Sequence, residues 1–301
     1  MTHHLSWLEA GVVGSFQGVA ELFPVSSLGH SVLIPAWIGG AWQRDLDVSS
    51  SESPYLAFIV GLHVATAIAL IIYFWRDWVR IIAGLLTSVG RREVRTPDQR
   101  LAWLLVLATI PVGLVGLVGE HFFRTHLGRP VPTATFLAVN GVILLAIERL
   151  RRRDPKLDSD YVDERVSGLE SDHRLAAMPV GKALMIGSLQ IAALAPGISR
   201  SGIATAGGMS RGLSREDATR FSFLLATPVI LAAGALKLGD LFGPLGDGIR
   251  GQVLFGSVLS GIGAYLSVRF LTRYLAKRSL RPFGLYCIAA GVGSLVLFAV
   301  R

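Results

Sequence analysis

The chain has 301 residues, 51% of them hydrophobic and only 17% charged, with a mean hydropathy of +0.53 and a formal net charge of +8. Soluble globular domains carry about 25% charged residues, so the composition points instead to an integral membrane protein. The basic residues lie between apolar runs without interleaved aromatics, which argues against nucleic acid, and a single cysteine, Cys287, excludes an intrachain disulfide or a cysteine zinc site.

The opening "MTHHLSWLEA" has no Lys or Arg before its apolar run and is read as mature sequence, not a signal peptide. Residues 8–40 are apolar but interrupted by "QGVAELFPVSSLGH", which places Gln17, Glu21, Ser26, Ser27 and His30 in a hydrophobic setting. Runs at 55–75, 101–119 and 131–150 follow, each approaching the ~20 residues a helix needs to cross a bilayer. His63, in "GLHVATAIAL", has no patterned neighbours and reads as structural; Glu120 and His121 read as a solvated rim. A mixed-charge connector spans 151–178. Residues 180–212 then resemble 8–40, broken by "LAPGISRSG", and three further runs complete the chain at 218–238, 249–271 and 283–300.

A broken backbone at membrane depth is tolerated only where protein or a polar cavity surrounds it. The expected fold is therefore an all-α integral membrane protein with six transmembrane helices and two re-entrant helix–loop–helix elements. Lys and Arg concentrate in 76–100, 151–178 and 272–282, whereas 239–248 has none, which assigns the three basic segments to the cytoplasm. The first re-entrant element then opens outward and the second toward the cytoplasm. Element order repeats, with three crossings inverting the second unit: 1–150 forms the first inverted repeat, 151–178 the linker and 179–301 the second, in one membrane domain. Gln17 and Gln190 lie at the same offset as Ser26 and Ser199, and as Gly29 and Gly202.

Inverted repeats with broken helices place a site at their interface, often with helix N-termini aimed at an anion. Pro24 ends one incoming helix and Pro196 with Gly197 the other. Ser26 or Ser27, and Ser199 or Ser201, then cap the outgoing helices. Arg200 supplies a fork suited to phosphate oxygens, and the amides of 199–202, Gly202 among them, supply further donors. Glu21 and His30 suit acid–base work, and Gln17 shares a helix face with Glu21. Such a set inside a membrane is expensive unless paired or wet, so a phosphoryl-transfer site is the favoured reading. The competing readings are a structural Glu21–Arg200 ion pair, serines that only cap, and a His30 satisfied within its helix. Gln190 and Thr205 read as helix packing.

"QGVAELFPVSSLGH", "PGISRSG" and "GGMSRGLSREDATRFSFLLATP" together resemble the undecaprenyl-diphosphate phosphatase family, the bacitracin-resistance phosphatases. The resemblance covers most of the chain. It implies a multi-pass enzyme of the bacterial plasma membrane that hydrolyses the cell-wall lipid carrier diphosphate to the monophosphate on the outer face. It also implies Mg²⁺ or Ca²⁺ as cofactor, with Glu21 as the metal-holding residue. The family's acidic motif falls on Gln17 and Glu21, its serine pair on Ser26 and Ser27, its histidine on His30, and its phosphate-gripping motif on Ser199, Arg200 and Ser201. Four positions depart: Gln17 for a usual Glu, Leu28 for a usual Thr, Ala204 for a usual Thr, and Cys287 after Tyr286 where Arg is common. On this reading Ser27 or His30 attacks phosphorus, and Glu21 moves the proton or holds the cation. The expected partners are a polyprenyl diphosphate, the bilayer and, in a homodimer, a second copy. A flippase for a phosphorylated polyprenyl lipid is the alternative; a phosphatase for a shorter prenyl diphosphate or phosphatidic acid-like lipid is a third reading.

Overall fold

The computed structural model describes residues 5–46, 54–151, 167–243 and 247–301, and among them it contains helices and no strands. The first broken region holds α1 (Trp7–Ala20), α2 (Ser27–Ile38) and the short α3 (Gly40–Asp45). Next come α4 (Pro54–Tyr73), α5 (Trp75–Arg91), α6 (Pro97–Phe122) and α7 (Pro130–Arg151). The second half holds α8 (Ser167–Ala176), α9 (Val180–Leu189), α10 (Arg200–Ser210), α11 (Arg215–Phe242), α12 (Arg250–Lys277) and α13 (Arg281–Val300).

Six helices are long and apolar enough to span: α4, α6, α7, α11, α12 and α13. These are the six runs expected from the sequence, most of them extended at an end, while α4 stops at Tyr73, two residues short of the expected run. Their packing is close because small residues line the contacts. A Cβ on Gly14 of α1 would lie 2.5 Å from the Gly256 carbonyl of α12, and one on Gly187 of α9 would lie 2.0 Å from the Ala108 carbonyl of α6. Thus α1 packs on α12 while α9 packs on α6, and α4 packs on α11 and α12. α7 lies against α13 and also touches α2 and α10.

Two stretches differ from expectation. Residues 76–100, expected as a basic loop, contain α5, whose exposed Trp75, Val79, Ile82, Leu86 and Val89 recur at helical spacing. The connector 151–178 is not wholly a linker: its end is α8, where Ser171 and Asp172 are buried. Its residues 152–166 lie outside the described residues, as do residues 1–4 and the Glu120 side chain.

Ion pairs tie the helix ends together. Asp172 receives Arg80 at 2.8 Å and Arg220 at 2.7 Å, and Arg80 also reaches Asp98 at 2.9 Å. Arg174 pairs with Asp217 at 2.8 Å, and this partner holds its guanidinium above the ordinary arginine range. Glu148 at the end of α7 accepts Arg215 at 3.0 Å and the Leu280 amide at 2.9 Å. Elsewhere, the Gln252 side chain donates to the Leu5 carbonyl at 3.1 Å, and Arg301 donates to the carbonyls of Ala36 and Trp37 at 3.0 Å each.

Candidate active site

α1 stops where Pro24 interrupts the backbone, and its last turn presents Gln17 and Glu21 on one face, both buried. The chain then turns through Ser26, whose φ of 66° is left-handed and unusual for a side-chain-bearing residue. The Ser26 hydroxyl offsets that cost by accepting two amides: Gly29 of its own helix at 3.2 Å and Gly197 of the second break at 3.1 Å. Glycine is required at 197, where φ is +109° and a Cβ would meet the Thr133 carbonyl at 2.4 Å. At Gly29 a Cβ would lie 2.9 Å from the Gly197 Cα, so the two breaks meet backbone to backbone.

Asn140 of α7 bridges the same joint, donating to the Pro24 carbonyl and accepting the Ser199 amide, both at 3.0 Å. Ser199 caps α10 by accepting the Gly202 amide at 3.1 Å. The hydroxyls of Ser199 and Ser201 donate to the Phe23 carbonyl at 3.4 and 3.2 Å. Ser26, Ser199, Ser201 and Gly202 therefore build the joint on which the reactive groups stand.

Those reactive groups converge on one carboxylate. Arg200 donates Nη2–H to Glu21 Oε1 at 2.6 Å across the two halves of the chain. The Ser27 hydroxyl donates to Oε2 through a short hydrogen bond, and Gln17 donates to the same oxygen at 3.0 Å. His63 completes the ring, with Nε2 3.3 Å from Glu21 Oε2 and 3.2 Å from Gln17 Nε2. Its Nδ1 donates to the Ile59 carbonyl at 2.9 Å, which turns Nε2 toward the carboxylate. Arg200 Nη1 and Gln17 Oε1 are buried without a partner among the described residues. An unpaired buried guanidinium N–H is costly, and a phosphate oxygen would satisfy it.

The imidazole beside the carboxylate is His63, not the expected His30. His30 is fully buried, donating Nδ1–H to the Ser26 carbonyl at 2.8 Å and accepting the Tyr286 hydroxyl on Nε2 at 2.7 Å. No hydrogen bond joins it to Glu21, Ser27 or Arg200 among the described residues. His63 escaped the sequence because its partner Gln17 lies 46 positions away; the one available signal was a lone imidazole inside an apolar run.

The donor set does not build an all-protein Ca²⁺ cage, since Glu21 is the one carboxylate of the cluster and both its oxygens are engaged. It does fit the single protein carboxylate of a Mg²⁺ whose other ligands would be waters and substrate phosphate oxygens. Among the described residues no three His, Cys, Asp or Glu gather as a metal cluster.

A profile of the family described as bacitracin resistance protein BacA matches residues 10–293. The chain is 62% identical to an undecaprenyl-diphosphatase of Mycolicibacterium paratuberculosis over the full length of both. It is 49% identical to undecaprenyl-diphosphatase 1 of Frankia casuarinae, covering 98% of this chain and 99% of the relative. For undecaprenyl-diphosphatase 2 of Chromobacterium violaceum the identity is 41%, over 96% and 98% of the two chains. With a match from near one terminus to near the other, and the two motifs meeting in space at Glu21 and Arg200, this chain belongs to the bacitracin resistance protein BacA family.

Proposed function

We propose that this membrane protein is an undecaprenyl-diphosphatase, hydrolysing undecaprenyl diphosphate to the monophosphate and inorganic phosphate. The observation that carries the chemistry is the Glu21–Ser27–Arg200 cluster with its unsatisfied Arg200 Nη1. Arg200 Nη1 takes an oxygen of the terminal phosphoryl group, neutralising charge that builds during transfer. Ser27 Oγ attacks the terminal phosphorus, the bond from phosphorus to the bridging oxygen breaks, and undecaprenyl monophosphate leaves. The Ser27 proton passes to Glu21 Oε2, with His63 placed to take it onward. Water then cleaves the phosphoserine, releasing phosphate and restoring the hydroxyl. His30 is disfavoured as nucleophile because Tyr286 occupies its outward nitrogen. A divalent cation held by Glu21 would add charge neutralisation at the phosphoryl oxygens.

The finer architecture belongs to the same proposal: two re-entrant elements in inverted repeats, within one membrane domain of the bacterial plasma membrane. The ion pairs support a common end for the basic segments, since Arg80, Asp98, Asp172, Arg220, Glu148, Arg215 and Leu280 are linked there. α9 begins beside that end, where Arg100 donates to the Met178 carbonyl at 3.4 Å, and the chain returns to it after α10 at Arg215. The first broken element starts and finishes at the opposite end, by Gln252 and Arg301. The exchange of partners, α1 on α12 and α9 on α6, fits a two-fold relation. By the charge bias the first element opens outward, where the lipid diphosphate would be met.

The test is phosphate release from undecaprenyl diphosphate by the purified chain in detergent. Arg200→Ala and Glu21→Ala are each expected to lower it on the order of 10²–10³-fold. Release at the wild-type rate by either variant overturns the catalytic assignment. Lipid movement without release would favour a flippase.

A further inference from the structure

We propose a second lipid site, for the phosphate headgroup of an anionic phospholipid, in the groove at the C-terminal end of α12. The groove has a volume of about 510 Å³. Two adjacent rows of one helix form it. Leu266, Phe270 and Tyr274 follow each other at four-residue spacing, and Arg269, Arg273 and Lys277 do so beside them, with Arg278 at the rim. Residues four apart share a helix face, so an apolar strip runs alongside a cationic strip.

A cytoplasmic position accounts for basic residues here but not for their lack of acidic partners. The neighbouring arginines of the same end of the bundle, Arg80, Arg174, Arg215 and Arg220, are each neutralised by carboxylates. Arg269, Arg273, Lys277 and Arg278 have no acidic partner among the described residues, and the first three are exposed on a membrane-spanning helix. Four cations without counter-charge, beside a half-exposed Phe270, match an amphiphile with an anionic head and an apolar tail. Phe270 continues inward: it stacks on Tyr274 at 5.3 Å and on Phe23 at 5.9 Å. The Phe23 carbonyl is the acceptor shared by Ser199 and Ser201, so the groove abuts the joint without belonging to it.

The experiment counts lipids retained by the full-length protein, by native mass spectrometry after equilibration with equal phosphatidylglycerol and phosphatidylcholine. Wild type is expected to keep phosphatidylglycerol preferentially. R269Q/R273Q/K277Q is expected to lose that preference by roughly a hundredfold, while phosphate release from undecaprenyl diphosphate stays at the wild-type level and reports an intact fold. If the triple variant releases no phosphate, R273Q alone replaces it, with an expected loss of about fivefold. Equal retention of the two lipids, or unchanged preference in the variants, overturns the proposal. So does displacement of the lipid by millimolar inorganic phosphate, which would make this a free-anion site. A rise in retention on neutralising Asp154, Asp158, Asp160 and Asp163 would also overturn it, by making the connector the occupant.

Discussion

The two helix breaks share a spacing and divide the chemistry. Gly14, Gln17, Ser26 and Gly29 recur 173 positions later as Gly187, Gln190, Ser199 and Gly202. Matching glycines admit a neighbouring helix in both halves, and matching serines cap the outgoing helix. Yet the first break supplies the carboxylate and the hydroxyl, while the second supplies the guanidinium. Backbone strain differs as well: the first places it on Ser26, while in the second it falls on Gly197 and leaves Ser199 extended. The spacing of glycines and capping serines recurs, and the reactive groups do not. A site needing opposite charges gains from two similar scaffolds that diverge only at the tips.

Substitution in pairs tests this division, and the largest contrast is expected at the hydroxyls. Ser27→Ala should cut phosphate release on the order of 10³-fold, and no phosphoenzyme should be trapped. Ser201→Ala removes a bond to the Phe23 carbonyl and a contact with the Ser199 hydroxyl, neither of them to the Glu21 carboxylate, and should cost about fivefold. Equal effects would dissolve the asymmetry. A matched result is expected at the packing glycines, where Gly14→Ala and Gly187→Ala each force a Cβ into a facing backbone carbonyl. Each should destabilise by about 1–3 kcal/mol, read as loss of thermal stability in detergent. The smallest effect concerns the caps. Ser199→Ala should cost about 1 kcal/mol, and Ser26→Ala more, because its hydroxyl serves amides of both halves. A larger loss for Ser199→Ala in the same thermal assay would reverse the ranking of the two serines.

Much of this was legible in the sequence. The six spanning helices follow from the length of their apolar runs, and Glu21 and Arg200 are too costly in the two broken apolar stretches to lack a purpose. Charge hid α5 and α8: both read as cytoplasmic connection, although Trp75, Val79, Ile82, Leu86 and Val89 already carried a helical period. His63 and Tyr286 were not legible, because each is a single polar group whose partner is set by tertiary packing. Conversely, "SSLGH" placed His30 beside the nucleophile in sequence, but both its ring nitrogens are taken by the Ser26 carbonyl and the Tyr286 hydroxyl.

One consequence concerns synthesis. Glu21 and the guanidinium that neutralises it are 179 positions apart, on opposite sides of the connector. Until the second half is made, Glu21 has only the donors of its own half, Gln17, Ser27 and His63, and lacks the guanidinium that completes its pairing; a buried acid short of its counter-charge is unfavourable. The ion pair at the site therefore forms only once both halves are made, so a chain lacking its second half cannot complete it.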